Sequence, residues 1–167
     1  MKDLLKLAYK CMAELGALGI KYCAPKSWNI NHRAKHRFGQ CRRVSPGVFE
    51  IDISAFLLDD SISDIPAMNT VIHELLHTVK GCSNHGEHWK FLAAQVNSAY
   101  PKYSIKRAST WEEFGIAPPA YDSTYHYLIE CTSCGTKSYR KRATKVTQNP
   151  TNYRCRCSGK LRVTKIN

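Results

Sequence analysis

Four of the chain's seven histidines fall in one seventeen-residue stretch, HELLHTVKGCSNHGEHW, which runs from residue 73 to residue 89. On a helix His73 and His77 stand at i and i+4, so both imidazoles leave one face and can share an ion, with Glu74 one position round. Two donors do not complete a catalytic zinc site, which takes three protein ligands and keeps a position open. The stop expected at Gly81 turns the chain back, and His85, expected at the first position of the next helix, is the nearest third donor. His88, one helical step further, is the alternative. Glu74 then serves as general base, taking a proton from the water that attacks a carbonyl, which is the chemistry of peptide-bond hydrolysis. The plainer reading, two ordinary helix histidines, has to meet the rarity of the pattern: a bare HExxH arises by chance on the order of once in a hundred chains of this length. The apolar frame, the turn and the further histidine favour the metal.

Cysteine supplies a second set. Cys131 and Cys134 form a C-x-x-C knuckle followed by Gly135, and Cys155 and Cys157 offer a C-x-C pair after twenty intervening residues, with Ser158-Gly159 supplying the turn. Two close pairs read as a closed, structural zinc ribbon. About 40 residues cannot bury a core of their own without metal or disulfides. Cys11, Cys23, Cys41 and Cys82 are scattered and read as small buried hydrophobes, with Cys82 a minor candidate ligand because it lies near the histidines. Two zinc ions are therefore expected, one catalytic and one structural.

The net charge of +12 is unevenly placed. Residues 126–167 carry ten Lys and Arg against Glu130 alone, +9, which leaves +3 for the rest. A polyanionic partner follows, with nucleic acid the usual one. Lys137, Arg140, Lys141, Arg142, Lys145, Arg154 and Arg156 are the candidate contacts, and Tyr139 and Tyr153 among them suit stacking on single-stranded bases. A second run, residues 21–43, holds seven Lys or Arg and no acid.

These groups need elements to hold them. Leu4, Leu7, Cys11, Leu15 and Leu18 have helical spacing, and Asp3, Lys6, Lys10 and Glu14 interrupt the apolar residues, so the N-terminus reads as an amphipathic helix rather than a signal peptide. SWNINHRAKHRFGQCRR and VFEIDIS read as the two strands of a hairpin around SPG, with Phe49, Ile51 and Ile53 facing inward. AFLLDD is a short helical turn. A helix is expected from Pro66 to about Lys80, with Val71, Ile72, Leu75, Leu76 and Val79 on its apolar face. Asn84 and Glu87 suggest a capping box opening the next helix, which carries Trp89, Leu92, Ala93 and Val96. A linker falls at 118–125, around Pro118-Pro119, with Trp111 and Phe114 packing back onto the domain before it. No apolar run reaches the roughly 20 residues that cross a bilayer.

The stretch HELLHTVKGCSNHGEHWKFLA resembles the metallopeptidase core of the SprT-like family, which includes the Spartan proteases. The likeness extends upstream to the hairpin with its Gly39-x-Cys41 step and downstream to YRCRCSGKL, covering residues 4–162. The resemblance implies a zincin-like α+β fold, helices plus a small sheet, over 1–117, and a basic zinc ribbon over 126–167. It implies His73, His77 and His85 as zinc ligands and Glu74 as the catalytic glutamate; His88 matches no family ligand. The C-x-C second pair departs from the commoner C-x-x-C. The implied role is a monomeric, cytoplasmic or nucleoid-associated zinc metalloprotease, or one of the host cytoplasm if phage-encoded, cutting proteins associated with or crosslinked to DNA. Its rivals are a non-catalytic zinc-containing nucleic-acid-binding protein and a peptidase of soluble proteins.

Overall fold

The computed structural model describes residues 1–34, 37–114 and 125–166. The chain divides into two compact units, Met1–Pro119 and Ala120–Asn167. The linker expected at 118–125 lies outside the described residues except for Tyr125, as do Lys35 and His36 of the second basic run.

The first unit is a small sheet against three helices. Helix α1 (Leu4–Ala17) is capped by the Asp3 carboxylate, which accepts from the Lys6 amide at 3.1 Å. It buries Leu4, Leu7, Ala8, Cys11 and Leu15, the face its period marks out. The stretch expected as one strand over 27–43 is two, β1 (Ser27–Asn31) and β2 (Gly39–Ser45). The Asn31 side chain is the breaker: its Oδ1 accepts from the amides of Arg33 and Ala34 at 2.9 and 3.0 Å, an Asx turn that diverts the chain. Strand β2 still forms the expected hairpin with β3 (Val48–Ser54), turning at Gly47 (φ 74), while β1 returns parallel on the far side of β3. The result is a mixed three-stranded sheet in the order β1-β3-β2. Ile51 and Ile53 of β3 are fully buried in the core.

A 3-10 turn, Ala55–Leu58, leads to α2 (Asp64–Leu76), whose Met68, Val71, Ile72, Leu75 and Leu76 fill the same core. Helix α2 stops four residues short of the expected Lys80. The Thr78 hydroxyl donates to the Leu75 carbonyl at 2.8 Å, and the amides of His77, Thr78 and Val79 reach back only three residues, a tightened last turn with His77 as its cap. Gly81 (φ 86) then reverses the chain. Helix α3 (Glu87–Ala99) opens at Gly86 without the expected capping box. Asn84 Oδ1 is spent on the Gly86 amide at 2.9 Å and the Glu87 carboxylate on Lys90 at 2.7 Å, so neither reaches a helix-end amide. His85 consequently lies in the loop before α3, not at its first position.

Beyond α3, Tyr103 and Ile105 are buried, and Asn97 clamps Ile105 by accepting from its amide at 2.7 Å and donating to its carbonyl at 3.0 Å. Trp111 and Phe114 pack back as expected, edge-on to Phe38 with ring centroids 4.4 and 4.9 Å away. In the second unit β4 (Tyr127–Cys131), β5 (Lys137–Arg140) and β6 (Leu161–Lys165) form an antiparallel sheet in the order β5-β4-β6. A short helix α4 (Lys145–Gln148), with Thr144 and Thr147 capping each other, and a 3-10 turn (Pro150–Asn152) occupy the β5–β6 connection. Ile129 and Cys131 are the buried hydrophobic residues described in this unit. Among the described residues no helix is long and apolar enough to cross a membrane.

Candidate metal centres and active site

The end of α2 and the loop before α3 bring His73, His77 and His85 together. The His85 Nε2 lies 3.0 Å from His73 Nε2 and 3.2 Å from His77 Nε2. Backbone carbonyls decide the tautomers of two of them: His73 Nδ1 lies 2.9 Å from the Lys106 oxygen and His77 Nδ1 2.8 Å from the Cys82 oxygen. A carbonyl only accepts, so both Nδ1 atoms carry hydrogen and both Nε2 atoms present lone pairs. His85 can satisfy at most one of them with a proton of its own, so the cluster lacks a positive centre that all three nitrogens can face. The edge of a tetrahedron of ligands is about 3.3 Å for bonds of roughly 2.0 Å, and these separations are close to it. The set therefore fits one metal ion. Burial, then the charges of His77 and His85, pull His73 down to about 4, so it stays neutral and able to ligate. Trp89, 2% exposed, sets its indole against all three imidazoles with centroids 4.9, 5.8 and 4.6 Å from His73, His77 and His85. Cys82 meets this site through its carbonyl rather than its thiol, and His88 is exposed and not part of the cluster.

Glu74 is 6% exposed. Burial pushes its carboxyl up to about 7, against the Cys41 amide and the Arg37 charge, which lower it. Strand β2 presses on this side chain closely enough to require a glycine: a Cβ on Gly39 would meet Thr70 Cγ2 at 2.6 Å, Glu74 Oε1 at 2.7 Å and Glu74 Cγ at 2.9 Å. The sequence suggests a Gly-x-Cys step but not what it touches, because the contact joins residues 35 apart in the chain. Two hollows meet at His73 and Glu74. One, about 820 Å³, is lined by β2 and the turn from Thr78 to His85; the other, about 220 Å³, by Phe38, Asn69, Phe114 and the segment from Ser104 to Ser109.

In the second unit the four cysteines converge. Cys131 Sγ lies 3.5 Å from Cys157 Sγ, and Cys134 Sγ 3.6 Å from Cys155 Sγ. These separations exceed any disulfide bond and approach the edge of about 3.8 Å expected around an ion with bonds of roughly 2.3 Å. The amides of Cys134 and Ser133 lower the Cys131 thiol, and the Thr136 hydroxyl, then its amide, bring Cys134 down to about 6, so both favour the thiolate a metal binds. Gly135 (φ 69) and Ser158 (φ 65) make the two turns. Gly159 admits no side chain, since a Cβ there would lie 2.6 Å from Ser133 Oγ and 2.7 Å from Cys131 Sγ.

Lys137, Arg140, Arg142, Lys145, Arg154 and Arg156 are exposed, and Lys141, half-buried, holds its ammonium 5.6 Å from the Tyr125 ring centroid. Lys137 is paired with Glu130 at 3.5 Å. Tyr139 is exposed, 5.5 Å from Tyr125, whereas Tyr153 is half-buried. No curated protein matches the chain. Residues 20–109, more than half of the chain and all of the histidine site, match the SprT-like family, whose members are metallopeptidase-like. A shared family pattern over those residues, together with a histidine cage beside a buried carboxylate, places this chain in the SprT-like family.

Proposed function

We propose that the chain is a zinc-dependent metalloprotease that hydrolyses peptide bonds in proteins associated with or crosslinked to DNA. His73, His77 and His85 hold the catalytic zinc in a zincin-like domain. Cys131, Cys134, Cys155 and Cys157 hold a structural zinc in a ribbon that docks nucleic acid. A zinc ion held by His73, His77 and His85 would supply Lewis acidity to the attacking water and the scissile carbonyl. Glu74 takes the proton from that water and delivers it to the departing amine, and its raised pKa suits both steps. The Cys41 amide and the bare face of Gly39 hold the carboxylate still, and the Lys106 and Cys82 carbonyls fix the His73 and His77 imidazoles. The observation that carries the reading is three converging imidazole nitrogens, His85 Nε2 lying 3.0 and 3.2 Å from those of His73 and His77, next to a buried glutamate in an open cleft. A purely structural metal site has no use for that glutamate.

The direct test measures cleavage of an unfolded protein and of a DNA-bound protein, with and without DNA, with Glu74→Gln as control. No cleavage under any of these conditions would defeat the proposal. Elemental analysis should find two zinc ions per chain. His85→Ala should lose the catalytic ion along with activity, and His88→Ala should keep both. The opposite pattern would make His88 the third ligand. Gly39→Ala should retain both ions yet lose about tenfold or more in kcat/KM, because the new methyl group displaces Glu74, and misplacement on the ångström scale is that costly. Near-normal turnover in that variant would show the close approach to be dispensable.

The ribbon's +9 implies a nucleic-acid partner held through phosphates. Affinity for a DNA oligonucleotide, read by fluorescence anisotropy, should fall by roughly one power of salt concentration per phosphate neutralised, and single strands should bind tighter than duplex through Tyr139. Binding that ignores salt, or that disappears at low salt, would remove DNA from the proposal.

A further inference from the structure

The first unit, residues 1–119, carries a net charge of only +4, but that surplus is not spread evenly. Several of its acids are held on cations that line neither hollow, Glu50 and Asp52 on Arg42 and Glu14 on Lys102, while Glu113 pairs with Lys106 of the smaller hollow. Arg37, Arg43 and Lys80 line the larger hollow and Arg107 the smaller, all four exposed and without an ion-pair partner among the described residues. Among the described residues, Glu74 is the one carboxylate lining either hollow. The cations flank it on both sides. Arg37 precedes Gly39 by two residues and Arg43 follows it by four, about 7 and 13 Å along an extended chain at roughly 3.3 Å per residue.

We infer that this cleft selects acidic peptide segments, with Arg37, Arg43, Lys80 and Arg107 meeting carboxylate side chains on both sides of the scissile bond. The inference rests on the peptidase reading above and names its substrate class. Cations gathered in a concave site attract carboxylates and repel lysine and arginine, so the selection works against basic segments as well as for acidic ones. A nucleic acid in the same place is the competing occupant. The larger hollow, about 820 Å³, is the space the scissile peptide has to enter, so a strand of nucleic acid lying there would exclude the substrate.

The test uses the full zinc-loaded chain and two peptides alike except that three flanking positions are Asp in one and Lys in the other. The acidic peptide should have the higher kcat/KM by about tenfold, from several weak exposed pairs acting together, and the ratio should shrink as salt screens them. The double variant Arg43→Glu with Lys80→Glu should invert the ratio and cut the basic peptide faster than the parent does, a gain that misfolding cannot produce. Anisotropy of the labelled peptides on Glu74→Gln protein should give the same order without turnover. Cleavage of both peptides at equal rates, or of the basic one faster by the parent, would overturn the inference and leave the peptidase intact. Failure to cut either peptide or any unfolded protein would bring down the peptidase reading and this inference with it. Competitive inhibition of peptide cleavage by a thymidine oligonucleotide, relieved in the double variant, would assign the cations to nucleic acid instead.

Discussion

Glu74→Gln should abolish proteolysis while leaving the zinc content and the fold unchanged. Glutamine has nearly the same shape, so the Gly39 backbone can still lie against it, and its amide oxygen can still accept from the Cys41 amide. What disappears is a proton acceptor. General-base assistance is worth about 10²–10⁴-fold, so kcat on an unfolded protein should drop by at least two orders of magnitude, with KM little changed. The melting temperature should hold or rise, because burial already disfavours charge on Glu74 and the substitution removes that charge from a site 6% exposed. Elemental analysis, a melting curve and a proteolysis assay on one preparation decide the matter. Activity within a few-fold of the parent would remove Glu74 from the chemistry, and loss of the histidine-site ion would make it a ligand rather than a base.

The helix period alone places His73, His77 and Glu74, because an i, i+4 pair on a strongly apolar helix leaves little freedom for its side chains. The sequence points to His85 as a residue that opens α3. The structure puts it with the other two histidines from the loop instead, because Asn84 and Glu87 spend their side chains locally. Proximity in sequence and a reversal at Gly81 were enough to bring it near. What sequence could not show is whatever depends on distant pairing. The parallel return of β1 rests on one Asx turn at Asn31, and a single strand over 27–43 fits the same residues. The Lys106 carbonyl that orients His73 comes from 33 residues away, and the Gly39 contact with Glu74 spans 35. The gathering around the cleft of cations that have no ion-pair partner among the described residues is likewise invisible in a charge count, since it depends on where each acid finds its partner.

The ribbon is the part of the chain whose fold should depend most on its metal. Its described residues bury just Ile129 and Cys131 among hydrophobic side chains, and its strands are short: five residues in β4, four in β5 and five in β6. A three-stranded sheet with so little apolar surface removed from water cannot offset the entropy of ordering its chain. Zinc bound to a four-thiolate site contributes on the order of 10–16 kcal/mol in small domains, and an ion held here would join the β4–β5 turn, through Cys131 and Cys134, to the turn before β6, through Cys155 and Cys157. Cys131→Ser should therefore lose one of two zinc ions and unfold residues 125–166, while the histidine-site ion stays. In a nitrogen–proton correlation spectrum the ribbon amides should collapse to unfolded shifts, and those of residues 4–114 should keep their dispersion. The first unit has its own core of α1, α2, α3 and β3 and needs no help from the ribbon. DNA affinity should fall with the ribbon, because separated cations on a disordered tail no longer present Tyr139 and their charges on one surface. A ribbon that stays dispersed after losing its ion would show that the sheet stands without metal, and simultaneous loss of both ions would show that the two sites are not independent.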